Sequence, residues 1–162
     1  MTEGARRAVR VGQGFDVHPF TDDPSRRLIL GGVVFDGPGL SGHSDADVVG
    51  HAMADALLGA AGMGDLGSHF PDTDPAFAGV DSMDLLARVT LSVSTQWVIG
   101  NLDVTVILEA PKLAPRREAM EQRLMEVVGA PVSVKAKRAE TLGALGRREG
   151  IACLAVALIE VR

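Results

Sequence analysis

The sequence predicts an α+β fold with α/β-like alternation, built on a single mixed β-sheet of about four main strands that helices cover on one side. Two observations predict it. Segments with strand character alternate along the chain with amphipathic helical segments, a pattern typical of one sheet layer packed against helices. The length of 162 residues, with 46% apolar and 23% charged residues, suits one globular domain over residues 1–162, in which residues 1–8 are expected to form a disordered tail.

The predicted strands are apolar or alternating runs bounded by glycine, proline and polar residues. The first strand leads into a loop that carries Asp16 and His18, and Pro19 ends it. The next two runs lie on either side of Gly31 and Gly32 and form a hairpin-like pair or one bulged strand. The runs cover residues 9–15, 28–30, 33–35, 102–108, 132–136 and 151–161.

Three helices are predicted from apolar side chains that recur at helical spacing. In the clearest of them, Ser44 and Asp47 resemble a capping box at the start, and Gly62 can end the helix. The third helix carries Pro115 in its first turn and stops at Gly129. The helices cover residues 44–61, 81–93 and 115–128.

Charge and composition exclude several classes of protein. The net charge of −5 argues against a protein that binds nucleic acid through a basic face. No apolar stretch approaches the roughly 20 residues of a membrane span, so no membrane partner is expected. The single cysteine, Cys153, lies in an apolar run and is expected in the core. With no disulfide possible within the chain and no signal sequence at its start, a cytoplasmic location is expected.

Asp16, His18 and His51 are candidate ligands of one divalent metal ion. Asp16 and His18 stand at i and i+2 in an extended segment and therefore project to the same side. His51 lies inside the first predicted helix, where Asp47 and Asp55 can accept a hydrogen bond from its second ring nitrogen. Three protein ligands leave one coordination position free, as in catalytic zinc sites. Zinc is favoured, and manganese and iron are alternatives. The alternative is a core histidine beside an Asx-turn aspartate.

His43 and Ser44 stand at the predicted start of the first helix, where free N–H groups and the helix dipole favour a phosphate. The alternative is that Ser44 is an ordinary N-cap. Asp65 and residues 70–74 are predicted to form ordered acidic loops, although such residues are usually solvated turn formers. The Gly12-x-Gly14 pair lacks the third glycine of a dinucleotide-binding fingerprint, and no P-loop or serine-hydrolase motif is present.

Seven motifs, in this order along the chain, resemble the 2-C-methyl-D-erythritol 2,4-cyclodiphosphate synthase family. The resemblance extends from about residue 10 to residue 161, which implies a single cyclodiphosphate-synthase domain. The motifs are GFDVH at 14–18, HSD at 43–45, DALLGA at 55–60, GDLG at 64–67, FPDTDP at 70–75, APK at 110–112 and EGIA at 149–152.

The resemblance implies a phosphorus–oxygen lyase of the non-mevalonate route to isoprenoid precursors. Its substrate would be 4-diphosphocytidyl-2-C-methyl-D-erythritol 2-phosphate, and its products the 2,4-cyclodiphosphate and CMP. A homotrimer with active sites between neighbouring subunits is implied. One Zn²⁺ per subunit would be held by Asp16, His18 and His51, with a phosphate oxygen as fourth ligand. A Mg²⁺ or Mn²⁺ ion would bridge the substrate phosphates.

The resemblance also implies roles for individual residues. His43 and Ser44 would steady the phosphates, and His43 and Arg138 would be the catalytic residues. The substrate-binding residues would be Asp16, Val17, His18, His43, Ser44, Asp65, Leu66, Gly67, Phe70, Pro71, Asp72, Thr73 and Asp74. The nucleotide-binding residues would be Ala110, Pro111, Lys112, Leu113, Lys137, Glu140 and Arg147.

The chain departs from the family pattern in residues 137–148. Lys137, Arg138 and Ala139 stand where the family has consecutive threonines, one of which is credited with steadying the transition state. Ala144 replaces a common aromatic residue, and Arg148 replaces a glycine. Arg138 could supply a bidentate phosphate contact, crowd the site, or face solvent.

Two other functions stay open. One is a metal-dependent phosphohydrolase that uses the same triad with water as the nucleophile, and it would release phosphate without a cyclic product. The other is a catalytically weakened trimeric homologue that binds zinc or an isoprenoid diphosphate. The altered segment 137–148 keeps this second alternative open.

Overall fold

Four strands form one sheet in the computed structural model, which describes residues 8–162. The strand order is β1-β6-β4-β5. Strands β4 and β5 are parallel, whereas β6 is antiparallel to both β1 and β4, so the predicted mixed sheet is confirmed. Residues 1–7, most of the predicted tail, lie outside the described residues. The strands are β1 (Val9–Pro19), β4 (Trp97–Ile107), β5 (Val132–Lys137) and β6 (Gly150–Val161).

The predicted hairpin is also confirmed, as a separate two-stranded sheet of β2 (Leu28–Leu30) and β3 (Val33–Phe35). The second and third predicted helices correspond to α3 and α4, and Gly62 and Gly129 end α1 and α4 in the left-handed conformation. The helices are α1 (Val48–Ala61), α2 (Leu66–His69), α3 (Ser82–Val93), α4 (Arg117–Val128) and α5 (Gly143–Gly146), with 3₁₀ turns at Pro75–Phe77 and Ala114–Arg116.

The predicted start of the first helix is wrong, because α1 begins at Val48 with Asp47 as its N-cap. Ala46 has a positive φ of 59°, which interrupts any helix begun at Ser44. The buried Asp47 carboxylate accepts hydrogen bonds from the backbone N–H groups of Val49 and Gly50 in the first turn. It also accepts from two N–H groups in the β2–β3 turn. Asp47 therefore ties the hairpin to the helix, which a serine hydroxyl is too short to do.

Asp16 and His18 lie on strand β1 rather than in the predicted loop beyond it. The ladder with β6 continues to Pro19, with Asp16 opposite Cys153 and His18 opposite Ile151. Gly150 makes this possible, because a Cβ at that position would lie 2.3 Å from the carbonyl oxygen of His18. Both side chains are thus oriented by a paired strand.

Helix α1 packs directly on the backbone of β1 through two glycines. A Cβ at Gly12 would lie 2.0 Å from the carbonyl oxygen of Ala56, and one at Gly14 would lie 1.9 Å from that of Ala52. No side chain fits between the two elements at these points. This close approach brings His51 on α1 within reach of Asp16 on β1.

The two faces of the sheet differ in their cover. The face toward the helices is buried and includes Val104, Val106 and Cys153, so the predicted core position of Cys153 is confirmed. The opposite face leaves Val11 and Phe15 64% and 54% exposed. Among residues 8–162, no helix is both long enough and apolar enough to cross a membrane.

Candidate functional site

The three predicted metal ligands converge on one point. Asp16 Oδ2 lies 3.0 Å from His18 Nε2 and 3.0 Å from His51 Nδ1, and the two ring nitrogens are 3.3 Å apart. Each side chain is partly buried, and in the described part of the chain their ligand atoms all lie within 4.8 Å of one another. Two rigid elements, β1 and α1, set this geometry.

The three residues Asp16, His18 and His51 are called the triad below. A hydrogen bond from His18 to a residue outside the triad determines which of its ring nitrogens has a free lone pair. His18 Nδ1 lies 2.6 Å from the carbonyl oxygen of Ser41. A carbonyl only accepts hydrogen bonds, so Nδ1 carries the proton of the neutral ring and Nε2 presents its lone pair. His51 Nε2 lies within 3.0 Å of the hydroxyls of Ser44 and Ser82.

This donor set fits a divalent metal. Two imidazole nitrogens and one carboxylate oxygen are typical ligands of catalytic zinc, which keeps a fourth position open. Asp16 Oδ2 and His18 Nε2 are both acceptors, so a cation is needed to hold them at this separation. The residues present therefore fit the metal that the sequence predicts.

The acid–base properties of the triad agree with its role as a cation site. Burial alone raises the pKa of Asp16, but hydrogen bonds and charge from His18 and His51 outweigh it and hold the pKa well below its usual range. Burial alone lowers the pKa of His18, but the Asp16 carboxylate reverses this and raises it. In the absence of a metal, a proton on His18 is the cation that the carboxylate stabilises.

The expected partners of the His51 ring are wrong. The Asp47 carboxylate is committed to capping α1, and Asp55 Oδ1 accepts the backbone N–H of Leu66 at 2.7 Å. The ring instead contacts Ser44 and Ser82. Ser82 stands 31 positions after His51 and has no local sequence signal, because its contact depends on how α3 packs against α1.

A cavity of about 530 Å³ opens beside the triad. It brings together most of the residues predicted to bind substrate, and its apolar wall includes residues that sequence reasoning missed: Phe77, Val80 and Leu85. Predicted residues that line it are Asp16, His18, His43, Ser44, His51, Leu66, Gly67, Phe70, Pro71 and Asp72.

Four predicted substrate-binding residues do not line this cavity. Val17 points to the opposite face of the sheet and is 47% exposed. Asp65 and Asp74 cap α2 and the 3₁₀ turn at Pro75–Phe77 through their carboxylates. Thr73 lies between the lining residue Asp72 and Asp74.

His43 and Ser44 do not stand at the start of a helix, where the sequence placed them. They precede α1 by several residues, and the Asp47 carboxylate accepts two N–H groups of its first turn, those of Val49 and Gly50. His43 Nε2 instead contacts the carbonyl oxygen of Asp74 at 3.1 Å, and Ser44 Oγ accepts the backbone N–H of Ala46 at 3.1 Å. Their side chains still line the cavity.

A second cavity, of about 260 Å³, lies at the ends of β4 and β5. It contains four of the predicted nucleotide-binding residues, Pro111, Lys112, Leu113 and Lys137, together with Arg138. Ala110 lines a different cavity, and Glu140 and Arg147 line neither. Arg147 Nε pairs with Glu149 Oε1 at 2.6 Å.

Arg138 forms an ion pair at the edge of this second cavity. Its Nε and Nη2 both donate to Glu109 Oε2, at 3.1 and 2.9 Å. The Glu109 side chain is 2% exposed, whereas that of Arg138 is 61% exposed. The Arg138 guanidinium holds the pKa of Glu109 below its usual value. The other carboxylate oxygen of Glu109 accepts the backbone N–H of Thr141 at 3.3 Å, so Glu109 fastens the chain after β5.

Comparisons with known proteins cover nearly the whole chain. Residues 9–160 match the model of the YgbB family. The chain is 52% identical over 159 residues to the 2-C-methyl-D-erythritol 2,4-cyclodiphosphate synthase of Thiobacillus denitrificans, covering 95% of this chain and 98% of the relative. It is 52% identical over 155 residues to the bifunctional enzyme IspD/IspF of Anaeromyxobacter dehalogenans, covering 93% of this chain but only 40% of that relative's length.

The structure is similar to that of IspF from Plasmodium falciparum, solved as a CDP complex. The TM-score is 0.83 at 32% sequence identity, and the match covers 96% of this chain and 97% of the other.

Proposed function

The chain belongs to the YgbB family, the family of the 2-C-methyl-D-erythritol 2,4-cyclodiphosphate synthases, and we propose that it catalyses the reaction for which they are named. The substrate is 4-diphosphocytidyl-2-C-methyl-D-erythritol 2-phosphate. The observation that carries the proposal is the convergence of Asp16, His18 and His51 at the edge of a cavity lined by motifs of this family.

The proposed reaction is an intramolecular phosphoryl transfer. An oxygen of the 2-phosphate forms a bond to the β-phosphorus, and the bond from that phosphorus to CMP breaks. The products are the 2,4-cyclodiphosphate and CMP. Such a reaction asks little covalent chemistry of the protein, so catalysis depends on alignment and on neutralising charge.

Asp16 Oδ2, His18 Nε2 and His51 Nδ1 are the proposed ligands of one Zn²⁺ per subunit. When bound, Zn²⁺ polarises a phosphate oxygen as a Lewis acid. A second divalent ion, Mg²⁺ or Mn²⁺, would neutralise charge on the substrate phosphates and is also part of the proposal. Asp16 and His18 are held by the β1 ladder, so the chain presents these donors without rearrangement.

Several side chains align the substrate in this proposal. The hydroxyl of Ser44 and the imidazole of His43 steady the phosphates from the rim of the larger cavity. Asp72 accepts hydrogen bonds from methylerythritol hydroxyls, and Phe70 and Phe77 pack edge-to-face at 5.3 Å to form an apolar wall. Of the other predicted substrate-binding residues, Asp65 and Asp74 act through the turns that they cap, and Thr73 lies in the same loop as Asp74. Val17 takes part through the backbone of β1, between Asp16 and His18.

The smaller cavity is the proposed nucleotide site. Pro111 and Leu113 bind the cytosine together with the neighbouring Ala110, which lies outside the cavity lining. Lys112 and Lys137 supply positive charge near the diphosphate, with Glu140 and Arg147 in the following loop. Arg138 takes the catalytic role of the family threonine. Among the described contacts, its pair with Glu109 uses Nε and Nη2, so Nη1 can donate to a phosphate.

A homotrimer with active sites between subunits is part of the proposal. Two observations support it. The larger and the smaller cavity share no lining residue. A substrate that occupies both kinds of cavity at once would therefore need the larger cavity of one subunit to adjoin the smaller cavity of its neighbour. Exposed apolar side chains on the open face of the sheet, such as Val11 and Phe15, are typical of a surface that another subunit covers. A single domain and a cytoplasmic location complete the proposal.

Phosphorus NMR of the purified protein with the CDP-methylerythritol 2-phosphate substrate, Zn²⁺ and Mg²⁺ tests this function. The expected result is the cyclic diphosphate with an equimolar amount of CMP. Inorganic phosphate without a cyclic product would identify a phosphohydrolase instead. Unchanged substrate in a protein that binds zinc would contradict catalysis and favour a binding role.

A further inference from the structure

We infer that Asp45 and Ser82 form a hydrogen-bonded relay that holds His51 in the tautomer whose Nδ1 can bind a metal. This inference rests on the metal site of the proposed function and assigns positioning roles to two residues outside the triad. The relay runs from the Asp45 carboxylate through the Ser82 hydroxyl to His51 Nε2.

The relay joins one fully buried residue, Ser82, to two partly buried ones, Asp45 and His51. Ser82 Oγ donates to Asp45 Oδ1 in a very short hydrogen bond and lies 2.9 Å from His51 Nε2. Ser82 is completely buried. Asp45 is itself held in place, because it accepts the backbone N–H groups of Asp47 and Ser82, each at 3.2 Å. Ser44 Oγ also lies 3.5 Å from the Ser82 hydroxyl, but the closer, charged carboxylate of Asp45 is the stronger acceptor of its hydrogen.

Counting hydrogens along the relay gives the tautomer of His51. An ionised carboxylate only accepts, so the one hydrogen of the Ser82 hydroxyl goes to Asp45. Ser82 Oγ must then accept from His51, which requires a hydrogen on Nε2. In the neutral ring this leaves the lone pair on Nδ1, the atom 3.0 Å from Asp16 Oδ2. The opposite tautomer would direct an N–H at the metal position.

The relay also determines what Ser44 can do. Ser44 Oγ lies 3.0 Å from the same His51 Nε2 and accepts the backbone N–H of Ala46. Because Nε2 carries the hydrogen, Ser44 is a second acceptor there and does not spend its own hydrogen on the ring. Its hydroxyl can therefore donate into the larger cavity, which it lines, in place of a long contact of 3.5 Å with Ser82 Oγ. Ser82 thus orients the metal ligand His51, while the Ser44 hydroxyl can donate a hydrogen bond to a phosphate.

The test measures zinc affinity by competition with a chromophoric chelator, independently of turnover. Ser82→Ala removes the acceptor of Nε2 that Asp45 fixes and leaves only Ser44 beside the ring nitrogen. Zinc binding should weaken by about tenfold, the lower end of the usual effect of losing a hydrogen bond to a metal-bound histidine. The matched control is Ser92→Ala on the same helix, where the hydroxyl donates to the carbonyl oxygen of Arg88. Its zinc affinity should equal that of the wild type.

Two further readouts separate positioning from general damage. In Co²⁺-loaded protein, Ser82→Ala should alter the visible d–d bands, because the His51 ring is freer to turn, whereas Ser92→Ala should not. Asp45→Asn should weaken zinc binding less than Ser82→Ala, since an amide oxygen can still accept the Ser82 hydroxyl. Asp45→Ala, which removes the acceptor of that hydroxyl, is the second variant if Ser82→Ala does not fold, and it should also weaken zinc binding.

The outcomes distinguish the relay from the metal site itself. Wild-type protein that binds no zinc would overturn the proposed metal site. Wild-type protein that binds zinc, with Ser82→Ala binding it equally tightly and with unchanged Co²⁺ bands, would overturn the relay alone. Equal zinc affinity in Asp45→Ala would overturn it in the same way if Ser82→Ala does not fold.

Discussion

The metal triad and the smaller cavity lie at the same end of the sheet, yet the chain holds them in different ways. The triad takes two ligands from paired strand β1 and one from α1, and its imidazoles are fixed by Ser41, Ser44 and Ser82. The smaller cavity is formed by the segments that follow β4 and β5. Strands β1 and β5 are the two edges of the sheet, three strand spacings or roughly 14 Å apart.

Backbone conformation sharpens this contrast. Within residues 8–162, four non-glycine residues have positive φ, and three of them follow β5: Glu140, Thr141 and Arg148. Such conformations cost free energy and persist only where neighbouring contacts hold them. One buried carboxylate, that of Glu109, supplies such contacts to Arg138 and Thr141. The triad is therefore a product of regular structure, and the smaller cavity depends on a few side chains.

The largest effect is expected from a substitution in the triad, whose residues lie on a strand and a helix. His51→Ala removes a ligand that no neighbouring side chain can replace, and it should abolish stoichiometric zinc binding and lower kcat on the order of 10³-fold or more. Metal analysis and the NMR assay measure the two effects. His69→Ala is the control, since His69 Nε2 contacts only a backbone carbonyl oxygen, that of Met63, in the described structure. Retained stoichiometric zinc in His51→Ala would sink the ligand assignment.

The sequence predicted the parts of the site that follow from local regularity. The i, i+2 spacing of Asp16 and His18 and the apolar stripe around His51 were enough to group the triad. The partners of the His51 ring were not predictable, because Ser82 reaches it only through the packing of α3 on α1. The start of α1 was misplaced because the φ of Ala46 and the reach of Asp47 to the β2–β3 turn are tertiary features.

Gly12 and Gly14 illustrate the same limit. Their spacing excluded a dinucleotide-binding loop, but it did not reveal that α1 lies against the β1 backbone. Likewise, the sequence identified Arg138 as unusual for the family, while its partner Glu109, 29 positions earlier, carried no sequence signal. Contacts between distant segments decide both cases.

The second prediction breaks the packing that aligns the triad. In Gly14→Ala the new Cβ would meet the carbonyl oxygen of Ala52, so α1 must move away from β1 and carry His51 from Asp16. We expect a loss of roughly 3 kcal/mol in the free energy of unfolding, together with weaker zinc binding. Urea denaturation and the chelator assay measure both.

Gly59→Ala provides the matched control for this substitution. It lies on the same helix, and a Cβ there would meet only the carbonyl oxygen of Gln13 at 3.8 Å. Alanine should stabilise the helix by about 0.5–1 kcal/mol without changing zinc affinity. If both variants behaved alike, the close packing of α1 on β1 would not be what aligns the triad.

The third prediction concerns the smaller cavity. Glu109→Gln leaves Arg138 without its charged partner and weakens the attachment of the Thr141 backbone. Arg138→Ala removes the pair and the proposed phosphate contact together. Turnover should fall about tenfold in Arg138→Ala, and Glu109→Gln should mainly raise KM, while zinc affinity stays unchanged in both.

Arg123→Ala is the control for these variants, because within residues 8–162 the only ion pair of Arg123 is an exposed one with Glu126, at 3.9 Å. Its kinetics should equal those of the wild type. An unchanged rate in Arg138→Ala would make Arg138 a surface residue, and a loss of zinc in Glu109→Gln would show that the triad and the smaller cavity are not independent.

The smallest expected effect is a pH dependence of the metal-free protein that comes from the triad. The pKa of His18 is raised above 6.5 by Asp16, so this pair stabilises the fold fully below pH 6.5 and loses its contribution as pH rises through the folded pKa. The pKa of Asp16 is lowered, so its contribution is present above pH 3.8 and is lost only in stronger acid.

The free energy of unfolding of the metal-free protein should therefore fall as pH rises above 6.5, by less than about 1 kcal/mol in total. In chelator-treated protein, His18→Gln should remove this fall of the unfolding free energy with pH, whereas His69→Gln should keep it. With zinc bound the trend should reverse, because the metal competes with the same proton and stabilises more as pH rises. An identical pH profile with and without zinc would contradict the convergence of proton and metal on His18.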